Sequence, residues 1–298
     1  MEVKVNSVAL SHPRLCNIIS FFGKISGMRI HQLIGSVAAA LAVAGCVVPK
    51  GEVPLAEALA AAGVKAAVSS GQAGSVRYSF AFEGFNAYID EPVRPKAGRQ
   101  WMWCMKWPEA FADRTGQING VARGFYYVYL DDLRWMNDEG REVAKRFHDF
   151  LVAKLGFAPQ ANLIGMSWGG FYSARYAAKY PQDVRCIYFD APLMNFAGFD
   201  LASDGACWSA KQGYDWSADS RMPVNLAKEI AAAKIPILLV YGDADKVVVP
   251  ARNCELFLAR LRVAGGDAEV HCFPGRDHHP HGFDPSASDR VVDFFEGQ

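Results

Sequence analysis

Two hydrophobic patterns alternate along most of the chain, from residue 76 to its carboxyl end. One is a short continuous run of apolar, β-branched or aromatic residues, as in FYYVYL at 125–130 and ILLVY at 237–241. Such runs predict strands, and their lack of alternation indicates a sheet that is buried on both faces. The other has apolar residues every three or four positions, as in residues 138–155, and this period predicts a helix.

The same two patterns place the other elements. Strands are predicted at 76–89 (an antiparallel pair turned at Glu83-Gly84), 100–105, 125–130, 162–166, 184–189, 237–241 and 268–273. Helices are predicted at 54–62, 138–155, 169–179, 224–233, 251–263 and 289–295. Strands that alternate with helices in this order indicate an α/β fold, with a mostly parallel twisted sheet and helices on both faces.

Residues 191–222 interrupt this alternation, because neither pattern continues through them. A segment of this length inside a compact domain is usually a functional lid or a binding insertion. We therefore predict a short lid over residues 191–222.

The amino-terminal region has a different pattern. Residues 28–46, MRIHQLIGSVAAALAVAGC, place a short polar start with Arg29 before an apolar stretch that ends in small residues and Cys46. This order is typical of a secretory signal peptide, and an Ala-rich buried helix is the alternative. The last four residues, VAGC, resemble the lipobox of bacterial lipoproteins. That resemblance implies cleavage before Cys46 and lipidation of this cysteine.

These patterns divide the chain into four parts. Residues 1–27 precede the internal Met28 and are predicted to be an over-long start, and residues 28–45 are the lipoprotein signal peptide. Residues 46–75 are predicted to be a linker, and residues 76–298 a single domain. The lipoprotein resemblance implies an exported bacterial protein of the cell envelope, in the periplasm or on the cell surface, attached to a membrane surface through Cys46.

Composition narrows the classes of partner. With 51% apolar and 21% charged residues, the chain is not of the disordered class. The 31 basic residues balance the 31 acidic residues, and this argues against a dedicated nucleic-acid binder, which would have a basic excess. The longest apolar runs are shorter than the roughly 18 residues of a membrane-spanning helix.

The first motif that carries chemistry is GMSWG at 165–169, between a predicted strand and a predicted helix. In this context the glycines leave room for a tight turn that lifts the Ser167 hydroxyl above the strand ends. The helix amino terminus then directs backbone N–H groups toward developing negative charge. A serine nucleophile is one interpretation, and an ordinary strand–turn–helix junction is the other.

Two later segments supply a base and an acid for such a nucleophile, which needs a histidine oriented by a carboxylate. YGDADKVV follows the strand at 237–241 and offers Asp243 and Asp245. FPGRDHHPHG follows the last strand and offers His278, His279 and His281. A metal cluster is the alternative for these histidines because imidazole is a common ligand, but no matching acid or cysteine pair lies nearby in sequence.

The order of serine, aspartate and histidine, each after a separate strand, resembles the α/β-hydrolase family over roughly residues 76–298. In this family the acid usually comes three residues after the glycine of its loop, which selects Asp245 and leaves Asp243 to support the turn through its own backbone. The Pro-Gly-x-x-His loop of the family points to His278. His281-Gly282-Phe283 resembles the dienelactone-hydrolase variant and keeps His281 as the alternative, with His279 third.

The oxyanion site departs from the family pattern. Lipases and esterases often carry an HGGG-type loop after the third strand, whereas this chain has WCMKW at 103–107, without glycine. We expect one donor to be the backbone N–H of Trp168. The second should lie within residues 104–107, and we assign it to Met105.

The α/β-hydrolase fold and the motifs imply a serine esterase that works through Ser167, His278, Asp245 and an acyl-enzyme intermediate. The DHHPHG and WMWCMKW segments resemble a group of exported bacterial esterase-like and prolyl-oligopeptidase-like hydrolases. The predicted substrate is a small-molecule or saccharide-linked ester, and the sequence implies no nucleic-acid partner, cofactor or metal ion. A serine peptidase of the prolyl-oligopeptidase type and a non-catalytic, envelope-anchored binding protein are the alternatives.

The tryptophans add a hypothesis about the substrate. Aromatic walls around the serine would suit a flat or sugar-linked acyl group, although each tryptophan is also a candidate for the core. The tryptophans considered are Trp101, Trp103, Trp107, Trp168, Trp208 and Trp216.

Overall fold

The computed structural model describes residues 51–131, 133–199, 201, 206–211 and 213–298. By its internal contacts the chain divides into two units, Met1–Gly45 and Cys46–Gln298. The described residues belong to the second unit. The start at 1–27, the signal peptide at 28–45 and the lipidation of Cys46 lie outside them.

A nine-stranded sheet forms the centre of this part of the chain, in the spatial order β1-β2-β3-β5-β4-β6-β7-β8-β9. The strands are β1 (Ala67–Ser70), β2 (Val76–Phe82), β3 (Phe85–Glu91), β4 (Trp101–Cys104), β5 (Tyr126–Leu130), β6 (Ala161–Met166), β7 (Val184–Asp190), β8 (Ile237–Gly242) and β9 (Glu269–Phe273). The pairs from β1 to β5 are antiparallel, and every pair from β5 to β9 in this order is parallel. The prediction of a mostly parallel sheet is confirmed.

Helices cover both faces of the sheet. They are α1 (Leu55–Ala61), α2 (Gln117–Ala122), α3 (Asp138–Leu155), α4 (Trp168–Lys179), α5 (Ala227–Ala232), α6 (Cys254–Val263) and α7 (Asp289–Glu296). Alternate residues of β4 enter two separate cores, because successive side chains of a strand point to opposite faces. Trp101 and Trp103 enter the core that includes α3 and α4, while Met102 and Cys104 enter the core that includes α7.

The predicted linker is wrong over its described part. Helix α1 buries Leu55 and Leu59, with 0% and 2% of each residue exposed, in the core beside α3. Strand β1 pairs with β2 and extends the sheet. Residues 51–75 therefore belong to the folded domain, and their high alanine content conceals this because only two large apolar side chains anchor the helix.

Helix α2 and the segment 191–222 differ from the regular alternation of strands and helices. Helix α2 has no predicted counterpart, because its six residues are too few to show a helical period. In the lid segment 191–222, the described residues form only short 3₁₀ turns, such as Ala206–Trp208 and Trp216–Ala218.

Among the helices that the structure describes, none is long and apolar enough to cross a bilayer.

Candidate active site

Three loops meet at the carboxyl edge of the parallel strands. Ser167 directly follows β6, Asp245 lies in the loop after β8, and His278 lies in the loop after β9. Since parallel strands all end at the same edge of a sheet, loops from separate strands converge there. This convergence brings together residues that are far apart in sequence.

The backbone at Ser167 is strained, with φ of 50° and ψ of −119°. A left-handed φ is uncommon for a residue with a side chain, and such strain clusters at functional sites. Close packing leaves no room for side chains at the flanking glycines. A Cβ on Gly170 would lie 2.2 Å from the Cβ of Pro192, and one on Gly165 would lie 2.7 Å from the Oγ of Ser173. The glycines of this motif therefore allow the tight turn into α4.

The predicted serine, histidine and aspartate form a continuous chain of contacts. Ser167 Oγ lies 3.2 Å from His278 Nε2, and Asp245 Oδ2 lies 2.7 Å from His278 Nδ1. Because a carboxylate only accepts hydrogen bonds, Nδ1 donates its proton to Asp245 and Nε2 has the lone pair that faces the serine. His278 and Asp245 are 6% and 4% exposed, so water competes little for these bonds.

Two backbone N–H groups hold the Asp245 carboxylate from its other side. Its Oδ1 accepts hydrogen bonds from Val247 N at 2.9 Å and from Val248 N at 2.8 Å. This leaves Oδ2 for the imidazole and fixes the plane of the carboxylate. The loop that carries the acid thus orients it without a contribution from another strand.

Asp277 ties the acid loop to the histidine loop. Its Oδ1 accepts hydrogen bonds from Lys246 N at 3.0 Å and from His278 N at 2.8 Å. These two backbone donors lower the pKa of the Asp277 carboxyl below its usual value, so the link is present across the neutral pH range. The link holds His278 in position from the backbone side.

The alternative acid and bases lie elsewhere. Asp243 accepts a hydrogen bond from Gly275 N at 2.6 Å, so it supports the neighbouring loop rather than its own turn. His279 is exposed and stacks on Phe111 at a centroid distance of 5.5 Å. His281 is buried and its Nδ1 lies 2.9 Å from Asp190 Oδ1. Of these side chains, His278 alone contacts both Ser167 and Asp245.

The two backbone N–H groups predicted to bind the oxyanion differ in whether another group already uses them. Trp168 is the first residue of α4, and the first N–H groups of a helix have no partner within it. Met105 N, in contrast, donates to Ile164 O at 3.1 Å as part of the pairing between β4 and β6. The assignment of Met105 is therefore wrong, because its N–H is used within the sheet.

The residues just beyond Met105 are better placed for the second oxyanion donor. Lys106 N lies 3.4 Å from the position that a Cβ on Gly169 would occupy, next to the first turn of α4. Trp107 has a left-handed φ of 59° and lines the cavity beside Ser167. The turn at these two residues carries backbone N–H groups past the end of β4, where sheet pairing no longer uses them.

A cavity of about 370 Å³ opens beside the serine. Ser167 and His278 form part of its wall, and most of the remaining wall is apolar or aromatic, with Trp107, Phe111, Trp168, Phe199 and Val247. Phe199 comes from the segment predicted as a lid. The cavity can therefore hold an apolar group next to the hydroxyl.

The tryptophans divide between core and cavities. Trp101 and Trp103 are fully buried in the core, because both lie on the face of β4 that packs against α3 and α4. Trp208 and Trp216 line a second cavity that does not include the serine. Of the six tryptophans, only Trp107 and Trp168 line the cavity beside Ser167.

A second histidine–aspartate pair lies beside the first and was not predicted. Asp190, the last residue of β7, contacts His281 through Oδ1 and accepts a hydrogen bond from Tyr188 Oη at 2.6 Å through Oδ2. Burial, with the nearby Asp190 charge, raises the pKa of Tyr188 well above its usual value, so the phenol stays a donor. The available signal was an acidic residue at the carboxyl end of a strand, the same feature that pointed to Asp245.

Comparisons with known proteins agree on the fold. A family model described as "alpha/beta hydrolase fold" matches residues 131–210. Lipase 1 of Psychrobacter immobilis is 24% identical to the chain, in an alignment that covers 47% of this chain and 61% of that protein. The chain thus spans less than two thirds of this curated relative.

Solved structures align over most of the chain. Dipeptidyl peptidase 4 of Porphyromonas gingivalis aligns with a TM-score of 0.55 at 13% identity, over 78% of this chain and 35% of that one. A puromycin-hydrolyzing peptidase of Mycobacterium tuberculosis gives 0.55 at 16% identity, over 78% and 37%. A CIB-like hydrolase of Thermoplasma acidophilum gives 0.50 at 16% identity, over 78% and 100%. At these identities the likeness shows the fold alone.

Proposed function

We propose that this chain, an α/β hydrolase by its fold, is a serine hydrolase that cleaves carboxylic esters through an acyl-enzyme intermediate. The observation that carries the proposal is the chain of contacts from Ser167 through His278 to Asp245, beside a cavity of about 370 Å³. A nucleophile, a base and an orienting acid in hydrogen-bond reach form the machinery of acyl transfer to water.

Each residue has one role in the reaction. Ser167 Oγ attacks the acyl carbonyl carbon while His278 Nε2 takes the hydroxyl proton, and Asp245 stabilises the imidazolium that forms. The backbone N–H of Trp168 donates to the oxyanion of the tetrahedral intermediate. His278 then gives its proton to the leaving alcohol, and a water molecule activated by His278 releases the acid and restores Ser167.

Two observations favour an ester over a peptide. The cavity wall is mostly apolar, which suits an acyl group, and the curated relative at 24% identity is named a lipase. The second candidate is a serine peptidase of the prolyl-oligopeptidase type, because the structural neighbours include peptidases that align over about a third of their length. The same three residues serve either reaction, so a comparison of rates on ester and peptide substrates is needed to distinguish the two candidates.

The first test compares an ester with the matching amide. We expect the full chain to hydrolyse p-nitrophenyl butyrate and to leave butyryl p-nitroanilide and dipeptidyl p-nitroanilides near the background rate. A phenolate is a better leaving group than an anilide and places less demand on the general acid. Initial rates with each substrate at equal concentration measure the ratio. A higher kcat/KM on a dipeptidyl anilide than on the ester would support the peptidase instead.

The aromatic wall leads to a more specific substrate. Trp107 is 38% exposed at the cavity, where Phe111 also lies, and a flat acyl group can stack there. We therefore propose aromatic or sugar-linked acyl esters as the substrate class. Such stacking contributes roughly 0.5–1.5 kcal/mol, which corresponds to about a two- to tenfold change in affinity.

Trp107→Ala should raise KM for a hydroxycinnamate ester by about two- to tenfold, with a smaller change for a butyrate ester. The change should fall on KM more than on kcat, because the backbone and the triad are retained. Michaelis parameters for both esters measure the difference. Trp216→Ala is the matched control, since Trp216 lines the other cavity. Equal KM changes for the two esters would contradict the proposed preference for aromatic acyl groups.

The cellular location is also a proposal. The signal-like sequence at 28–45 and the VAGC ending support an exported lipoprotein of the cell envelope, held at a membrane surface by acyl chains on Cys46. Mass spectrometry of the amino-terminal peptide of the mature protein would detect those chains, and an unprocessed Met1 or Met28 would count against them.

A further inference from the structure

Three histidines meet in the wall of the active-site cavity. One potential ligand atom from each of His278, His279 and His281 lies within 4.8 Å of the other two. Their ring centroids are 4.7 to 5.0 Å apart. The mechanism proposed above uses His278 and leaves the other two imidazoles without a role.

Carboxylates hold two of these rings from outside the cluster. His278 Nδ1 donates to Asp245, and His281 Nδ1 donates to Asp190, which is held in turn by Tyr188. Each Nδ1–H bond leaves the lone pair on Nε2. A carboxylate behind an imidazole is the usual outer shell of a metal-binding histidine, because it sets the tautomer and makes the ligand nitrogen more basic.

The third ring is accessible from solvent. His279 is exposed, and its ring stacks on Phe111 at a centroid distance of 5.5 Å. A neutral imidazole keeps one ring nitrogen with a lone pair for a cation. The sequence offers no acid or cysteine pair beside these histidines, but the fold supplies Asp190 and Asp245 from other strands.

We propose that His278, His279 and His281 bind Zn²⁺ or a similar borderline cation, and that the bound ion inhibits hydrolysis. Imidazole nitrogens are preferred ligands of such cations, and three protein ligands leave a fourth position for water. The ion takes the Nε2 lone pair of His278, which can then no longer accept the Ser167 proton. Binding itself does not depend on the proposed esterase activity, whereas the inhibition does.

The three rings lie close enough to share one ion after small movements. Zinc–nitrogen bonds of about 2.0–2.1 Å place tetrahedral ligand atoms about 3.4 Å apart, and the three potential ligand atoms lie within 4.8 Å of one another, so no pair has to close by more than about 1.4 Å. Carboxylates hold His278 and His281, whereas His279 is exposed and has the most freedom to rotate.

A second group of potential ligands, His148, Asp149 and Asp183, is a poorer cation site. Lys145 Nζ contacts Asp149 and lies 3.4 Å from Asp183, so an ammonium group already pairs with both carboxylates. His148 Nε2 is bonded to Pro159 O at 3.0 Å. In the cavity cluster the carboxylates pair with the imidazoles themselves, Asp245 with His278 and Asp190 with His281.

Zinc binding is tested on the full-chain Ser167→Ala protein, by calorimetry and by competition with a chromophoric chelator. We expect one Zn²⁺ per chain, and a loss of at least about tenfold in affinity in His279→Ala and in His281→Ala. Asp190→Asn should weaken binding by about 10–100-fold through the outer shell. His271→Ala is the matched control, because His271 pairs with Glu269 outside the cavity, and it should bind normally.

Unchanged affinity in both His279→Ala and His281→Ala would overturn the proposal. His279 is exposed, so its variant is expected to fold, and circular dichroism checks this. In the wild-type chain, Zn²⁺ should inhibit ester hydrolysis, EDTA should reverse the inhibition, and Mg²⁺ should have no effect because it prefers oxygen ligands. Zinc binding that depends on these histidines in a chain without esterase activity would support the site and count against the proposed function alone.

Discussion

Replacement of Ser167 by alanine should lower kcat on p-nitrophenyl butyrate by about 10⁶-fold, the order found when a triad serine is removed. Alanine removes the only hydroxyl that contacts His278 Nε2 among the residues that the structure describes, so no acyl-enzyme can form there. Binding and the oxyanion N–H would still supply a residual acceleration of roughly 10³–10⁴ over water. Initial rates at saturating ester measure the loss.

Ser173→Ala is the matched control for this prediction. Ser173 lies in the same helix and is buried, but its hydroxyl donates to Gly169 O at 2.9 Å and takes no part in the triad contacts. Its variant should keep most of the activity. A fluorophosphonate label should add mass to the peptide that contains Ser167 in the wild type and not in Ser167→Ala. Equal rates for the wild type and Ser167→Ala, without labelling, would favour the non-catalytic binding protein.

Asp245→Asn should lower kcat by about 10⁴-fold while the protein remains folded. Val247 N and Val248 N would still donate to the Oδ1 of the asparagine, so its NH₂ group would replace Oδ2 beside His278. Two donors cannot face each other, and His278 would change to the tautomer with its proton on Nε2. The imidazole could then not take the serine proton. Steady-state kinetics and a thermal unfolding curve separate this loss from misfolding.

Asp243→Asn distinguishes the two acids that the sequence offers. Asp243 accepts its hydrogen bond from Gly275 N, and an asparagine Oδ1 can accept the same bond, so kcat should stay within a few-fold of the wild-type value. A greater loss in Asp243→Asn than in Asp245→Asn would contradict the assignment. The comparison is well matched because both substitutions remove one charge from the same loop.

The positions of the three residues of the proposed triad could be predicted because each depends on local sequence. A buried apolar strand that ends in a tight turn places the next polar residue at the edge of the sheet, as at Ser167 after β6. The same holds for the loops after β8 and β9, which carry Asp245 and His278. Their convergence then follows from the parallel sheet, which the alternation of strands and helices already indicates.

The second oxyanion donor could not be predicted, because a backbone N–H is free only if no neighbouring strand uses it. The pairing of β4 with β6 uses the N–H of Met105, and the residue types in the segment WCMKW do not predict that pairing. The prediction of a linker at residues 46–75 was wrong for a similar reason. Leu55 and Leu59 are buried by α3, and an isolated pair of leucines in an Ala-rich segment does not identify a partner.

By itself, the sequence determined the α/β class, the strands from β2 to β9 along the chain, and the three residues proposed as nucleophile, acid and base, since these follow from residue types within a few positions of each strand end. Only the tertiary structure decided which tryptophans face the cavity and that Asp190 lies behind His281. These two residues are 91 positions apart, and their contact depends on how β7 and the loop after β9 are placed in the sheet. Contacts between distant segments depend on strand pairing and packing, which local hydrophobic patterns do not encode.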